Sequence, residues 1–165
     1  MIRKKPITYE AARLKMADLC ARAEHCEHEI REKLFKQGLP STDIDRLIDF
    51  LIENRFIDNS RYAAGFARDK VRFSRWGRNK VRQALAMKRI PSATIREALE
   101  EIGEKDYLDA LHRAALAKAR GLSLDDYDDR AKLYRHLLSR GFESALISTE
   151  IARLRKEQKD ADNDN

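Results

Sequence analysis

Apolar positions along the chain recur in one pattern three times over. The first copy places Ile30, Leu34 and Leu39 ahead of Pro40-Ser41, followed by Ile44 and Ile48. The second places Val81, Leu85 and Ile90 ahead of Pro91-Ser92, followed by Ile95 and Leu99. The third places Leu133, Leu137 and Phe142 ahead of Glu143-Ser144, followed by Ile147 and Ile151. From position 30 to 81 is 51 residues and from 81 to 133 is 52, with every apolar position kept. Such self-similarity marks a tandem array of one small unit, an architecture that presents long surfaces to long partners and seldom performs chemistry.

Within a unit the spacing predicts three helices. After the Pro-Ser corner, Ser41 or Thr42 caps a helix with its apolar stripe at Ile44, Leu47, Ile48, Leu51 and Ile52, the i, i+3, i+4, i+7, i+8 spacing of one buried face. The second copy repeats this with Ser92 as cap, Ile95, Ala98, Leu99 and Ile102 as stripe, and Gly103 as terminator. A proline bars the residue before it from helix, so Pro40 and Pro91 stop a shorter helix that runs from about Glu29 to Gln37 and from about Arg78 to Lys88. Gly38 is free to take the left-handed turn between them. Longer helices precede these, roughly Tyr9 to Ala23, Ser60 to Ser74 and Asp106 to Arg120. The expected fold is all-α, an elongated array of three three-helix repeats over residues 9–53, 57–103 and 105–156, with a polar disordered tail at 157–165.

Composition narrows the class. Charged residues make up 38% of the 165, with six Gly and three Pro, which suits water-exposed helices. No run of some 18 apolar residues exists and the start lacks an apolar signal core, so the protein is expected in the cytoplasm with no membrane contact. Cys20, His25, Cys26 and His28 crowd into nine residues without a second ligand cluster, unlike the paired elements of zinc sites. They read instead as a half-buried Cys20, a Cys26 near a helix start and two solvent-facing imidazoles, with no metal or cofactor expected.

Charge changes the picture most. Arg61 to Ile90 contains ten Lys or Arg and one Asp, a local +9, whereas the whole chain carries only +6. Basic character is thus concentrated in the middle repeat, the footprint of a polyanion contact. At 100° per residue Arg61, Arg68 and Arg72 share one face of the Ser60 to Ser74 helix, and Arg75 continues that line if the helix runs one residue longer. Tyr62, Phe66 and Phe73 form a second face, the expected core stripe. Trp76 sits in a connector, where its ring either stacks on a base or packs between repeats. Arg78, Lys80, Arg82, Lys88 and Arg89 complete the candidate contact surface, although Lys88 and Arg89 also suit the carbonyl end of a helix dipole. The competing structural reading pairs these cations with acids of neighbouring repeats, such as Asp125-Asp126 and Asp128-Asp129.

The run Phe56-Ile57-Asp58-Asn59-Ser60-Arg61-Tyr62-Ala63, then Phe66 and Arg68, then Gly77-Arg78-Asn79-Lys80-Val81-Arg82-Gln83-Ala84-Leu85, resembles the central signature of the RecX family of RecA regulators. Glu27 to Leu34 with Gly38 is similar to that family's first repeat, and Lys132 to Phe142 to its third. The chain departs from the family pattern at Arg78, where members often have proline, and near Cys26, where they often have serine. The resemblance implies nine helices in three repeats, a monomer that binds the RecA–DNA nucleoprotein filament in its groove, and lowered strand exchange, ATP turnover and SOS coprotease activity. Single- and double-stranded DNA are then weaker, salt-sensitive partners.

Two other functional classes compete with this one. A DNA-binding protein that needs no RecA is possible because short helices at tight corners resemble helix-turn-helix units. An enzyme is disfavoured: no phosphate-binding loop, nucleophile elbow or zinc motif occurs, and the acids fall on solvent faces or helix starts.

Overall fold

The computed structural model describes residues 5–164. Among the described residues there are nine α-helices and no strand: α1 (Tyr9–Arg22), α2 (Glu27–Lys36), α3 (Ser41–Glu53), α4 (Asn59–Ser74), α5 (Arg78–Met87), α6 (Ser92–Glu100), α7 (Glu104–Ala119), α8 (Tyr127–Ser139) and α9 (Ser144–Asn163). In each trio the third helix is the platform. Helices α1 and α2 pack on α3, α4 and α5 on α6, and α7 and α8 on α9. The chain exposes 10908 Å², against about 8,400 Å² for a compact monomer of this mass. That excess is the signature of units joined in line.

The apolar stripes build the cores. Ile30, Leu34, Leu47, Ile48 and Leu51 are buried in a first cluster that also takes Ala12 and Met16 from α1. The cores of repeats 2 and 3 form one continuous cluster, in which Val81, Leu85, Ile95 and Leu99 meet Tyr107, Leu111, Leu133, Leu137 and Phe142. Helix α4 lies against α7 across that boundary.

Several local expectations are corrected. Pro40 and Pro91 themselves occupy the N-cap positions of α3 and α6, so Ser41 and Ser92 are the first helical residues and make no side-chain cap bond. A proline needs no partner for the backbone donor it lacks, and its fixed φ leads into the helix. Side-chain caps occur elsewhere: Thr8 accepts from the Ala11 amide (3.3 Å), Asp58 from Arg61 (3.0 Å) and Asp126 from Asp129 (2.9 Å). Gly103 does not close α6, which ends at Glu100; it is the N-cap of α7. Ile52 lies at the edge of its stripe and is 44% exposed. The expected disordered tail is helix through Asn163. Its hold on the fold is polar: the Gln158 side chain accepts from the Leu124 amide (3.0 Å) and donates to the Leu122 carbonyl (3.1 Å).

Second helices end in the same left-handed turn at equivalent positions. Gly38 (φ 80°), Arg89 (φ 54°) and Gly141 (φ 93°) occupy it in repeats 1, 2 and 3. A side chain there costs about 1 kcal/mol relative to glycine, and only the basic middle repeat carries one.

Candidate nucleic-acid interface

The ten cations of the middle repeat separate into two groups. Three hold the array together. Arg61 donates to Glu24 (2.6 Å) and to the Arg55 carbonyl (3.1 Å), tying α4 to the end of repeat 1. The Lys88 ammonium lies 3.0 Å from Glu29, also in repeat 1. Arg78 reaches Glu104 (3.1 Å) and Glu143 (3.6 Å) in repeat 3. The acidic run expected to serve this purpose does not. Asp125 pairs with Arg155 (2.8 Å) and Lys159 (3.2 Å), which hold its carboxyl below the ordinary aspartate range, and Asp129 pairs with Lys132 (3.2 Å). All three partners lie on α8 or α9.

The second group has no ion-pair partner among the described residues: Arg68, Lys70, Arg72, Arg75, Lys80, Arg82 and Arg89. They do not form one plane. Arg68 and Arg72 line a cleft of about 200 Å³ between α4 and the α6–α7 corner, where Glu101, Asp106 and Asp109 stand on the opposite wall. Lys80 and Lys70 both hold their ammonium groups against one ring, 4.5 and 4.8 Å from the Trp76 centroid. Trp76 meets Phe66 edge-on at 6.4 Å and is half-buried, so its ring is a packing element roofed by two ammonium groups. Arg82 faces the α5–α6 groove beside Arg78 and donates to Asn79 (2.8 Å). Arg75 does not extend the arginine line, because α4 stops at Ser74 and Arg75 turns left-handed (φ 53°).

The aromatic face expected for α4 is only partly the buried one. Phe73 is 75% exposed, while the buried face is Ala63, Ala67 and Val71 with Tyr62 at its rim. Small side chains let α6 and α7 approach closely, and that contact outweighs the size of the ring. The paired imidazoles also differ from expectation: His25 bonds Glu29 (2.9 Å), His28 lies 3.6 Å from Glu32, and both are half-buried. Cys26 is fully buried in the core of repeat 2. Among the described residues no cluster of three or more His, Cys, Asp or Glu could hold a metal, and no helix is long and apolar enough to cross a membrane.

Residues 12–51, 58–99 and 104–149 match in order the first, second and third three-helix domains of RecX. The chain belongs to the RecX family. A regulatory protein RecX of Vibrio parahaemolyticus is 32% identical over 130 residues, 79% of this chain and 83% of that one. Another, of Clostridium botulinum, is 36% identical over 124 residues, 73% of this chain and 58% of that one. The crystal structure of RecX from Lactobacillus salivarius shares the fold with a TM-score of 0.79 at 22% identity, over 88% of this chain and 96% of that one.

Against this RecX-family background the Arg78 departure acquires a structural reason. Its backbone N–H donates to Tyr107 Oη (3.0 Å), a bond proline cannot make, and its guanidinium stacks 3.7 Å from the Tyr107 ring centroid. Burial, with the nearby Glu143 charge, pushes the Tyr107 phenol far above its usual range, so it stays protonated and donates to Glu143 (2.9 Å). Beside it, Gly77 donates to the Arg140 carbonyl (2.8 Å) and Asn79 to the Gly141 carbonyl (3.0 Å). A Cβ on Gly77 would collide with the Gly141 carbonyl, and one on Gly141 with the Lys80 backbone. Sequence reading left Lys70 out of the site, although it lies inside the basic window. Nor could periodicity show that Arg61, Arg78 and Lys88 are spent on neighbouring repeats.

Proposed function

We propose that this protein binds the RecA–DNA nucleoprotein filament as a cytoplasmic monomer and lowers its recombinase, ATPase and SOS coprotease activity. The contact runs through the unpaired cations of the middle repeat: Arg68, Lys70, Arg72, Arg75, Lys80, Arg82 and Arg89. Arg61, Arg78 and Lys88 set the spacing of the repeats that present them, and Trp76 fixes Lys80.

Arg89 carries this reading. Its equivalents Gly38 and Gly141 relax the same left-handed turn, yet here an exposed arginine with no ion-pair partner among the described residues is kept at a backbone cost. A residue held against local preference, inside a repeat of local charge +9, is explained by an anionic partner.

Binding of the labelled protein to single-stranded DNA, with and without RecA and a slowly hydrolysed ATP analogue at near-physiological salt, tests the reading. Tight binding only in the presence of RecA is expected. Equal affinity for naked DNA, with log K falling by about 0.9 per log unit of salt for each phosphate neutralised, would replace it with RecA-independent DNA binding. Arg68→Glu with Arg72→Glu should abolish filament binding and leave helicity and melting unchanged. Unaltered affinity in that double variant would move the contact off α4.

A further inference from the structure

Between α8 and α9 runs an open groove of about 850 Å³ that the middle-repeat contact does not use. One wall exists because α9 is 20 residues long, where α3 has 13 and α6 has nine. Past the nine-residue length of α6, α9 supplies Arg155, Lys156 and Lys159, and α8 supplies Arg135 and the rings of Tyr127 and Tyr134. Seven residues apart, the two tyrosines lie on one helix face. Tyr127 is 74% exposed. No acidic side chain among the described residues lines the groove. Asp125, outside it, bonds Arg155 and Lys159, whereas Arg135 and Lys156 have no ion-pair partner among the described residues.

The equivalent groove of repeat 2, between α5 and α6, is an internal control. It has a similar volume, about 960 Å³, but its cations Arg78, Arg82 and Arg96 face Glu100 and Glu104. Shifting by the 52-residue period places Tyr134 where Arg82 stands, Ala152 where Glu100 stands and Lys156 where Glu104 stands. Repeat 3 has removed both acids and added a ring.

We infer that the α8–α9 groove binds a short stretch of single-stranded nucleic acid, one base stacked on Tyr127 and its phosphates met by Arg135 and Lys156. Stacking on an exposed ring needs a base whose face is uncovered, which favours a single strand over a duplex. An acidic peptide would be served by the cations alone and leaves the tyrosines without a role. The inference does not rest on the filament reading, since its test contains no RecA.

The full-length protein is titrated with a labelled oligothymidylate, and a 5-iododeoxyuridine version is photocrosslinked and the modified residue located by mass spectrometry. The crosslink is expected at Tyr127, including in the Arg68→Glu, Arg72→Glu background. Tyr127→Ala should weaken binding about tenfold, Tyr127→Phe should restore it, and Lys156→Glu should weaken it further. Tyr127 is mostly exposed and outside the core, so circular dichroism should not change. Crosslinks confined to repeat 2, unchanged affinity in Tyr127→Ala, or equal competition by polyglutamate of matched charge would overturn the proposal.

Discussion

The joint between repeats 1 and 2 and the joint between repeats 2 and 3 connect units of the same pattern by opposite means. Across the second joint the core is continuous, α4 packs on α7, the Arg78 guanidinium lies 3.7 Å from the Tyr107 ring centroid, and Gly77 and Gly141 touch backbone to backbone. Across the first joint the bonds are polar. Glu29, steadied from its own repeat by His25, receives Lys88 (3.0 Å) and Tyr62 (3.0 Å) from repeat 2, the Glu27 amide donates to Asn59 (3.1 Å), and Arg61 meets Glu24. Cys26 is the one buried side chain of repeat 1 that enters the second core among the described residues. The array is therefore a rigid pair with a third unit attached by a hydrogen-bonded hinge. Apolar contacts resist bending in proportion to area, whereas a few half-buried polar bonds at a rim can be replaced by bonds to water.

The largest effect should come from breaking the rigid joint. Gly77→Ala places a Cβ against the Gly141 carbonyl, and we expect it to destabilise repeats 2 and 3 by about 3 kcal/mol in urea unfolding, while repeat 1 amides keep their exchange protection. Persistence of a single unshifted transition would show that the two backbones can part at little cost.

The hinge should respond next. Removing the charge with Glu29→Gln is expected to cost about 1–2 kcal/mol and to raise hydrogen exchange in repeat 1 only. Its pH dependence has a definite sign. Burial opposes the Glu29 carboxylate, but the hydrogen bonds from Lys88, His25 and Tyr62 outweigh it and hold the pKa below the ordinary glutamate value. The stabilisation is thus complete above that ordinary value and is lost as pH falls through the lower folded one. Small-angle scattering should show the wild-type protein widening in that acid window, and Glu29→Gln should show no such step.

The smallest effect concerns the turn beside the hinge. Arg89→Gly relaxes the left-handed backbone and should stabilise the chain by about 1 kcal/mol, a melting gain of a few degrees, while weakening filament binding. A gain in both properties would remove the functional reason for keeping arginine there.

Much of the fold could be read because the stripe positions do the same work in every copy: Ile44, Leu47 and Leu51 in one, Ile95, Ala98 and Leu99 in the next, all buried. Features that depend on distant partners could not. The polar end of α9 reads as a tail because Gln158 is held by the backbone of Leu122 and Leu124, which no local period records. Phe73 reads as core because its ring is large, yet the Ala63, Ala67, Val71 line decides which face of α4 is covered. Charge density pointed to the middle repeat, but the division between paired cations and unpaired ones depends on acids 26 or more residues away.

Cys26 gives the hinge a built-in clock. With no surface of its own exposed, and with burial holding its thiol pKa up, it meets a solvent reagent only when repeat 1 lifts from repeat 2. Cys20, half-exposed on α1, can react without that movement. The ratio of the two alkylation rates is then a direct count of how often the array opens, readable in the unmodified chain and in the presence of any partner that straightens or bends it.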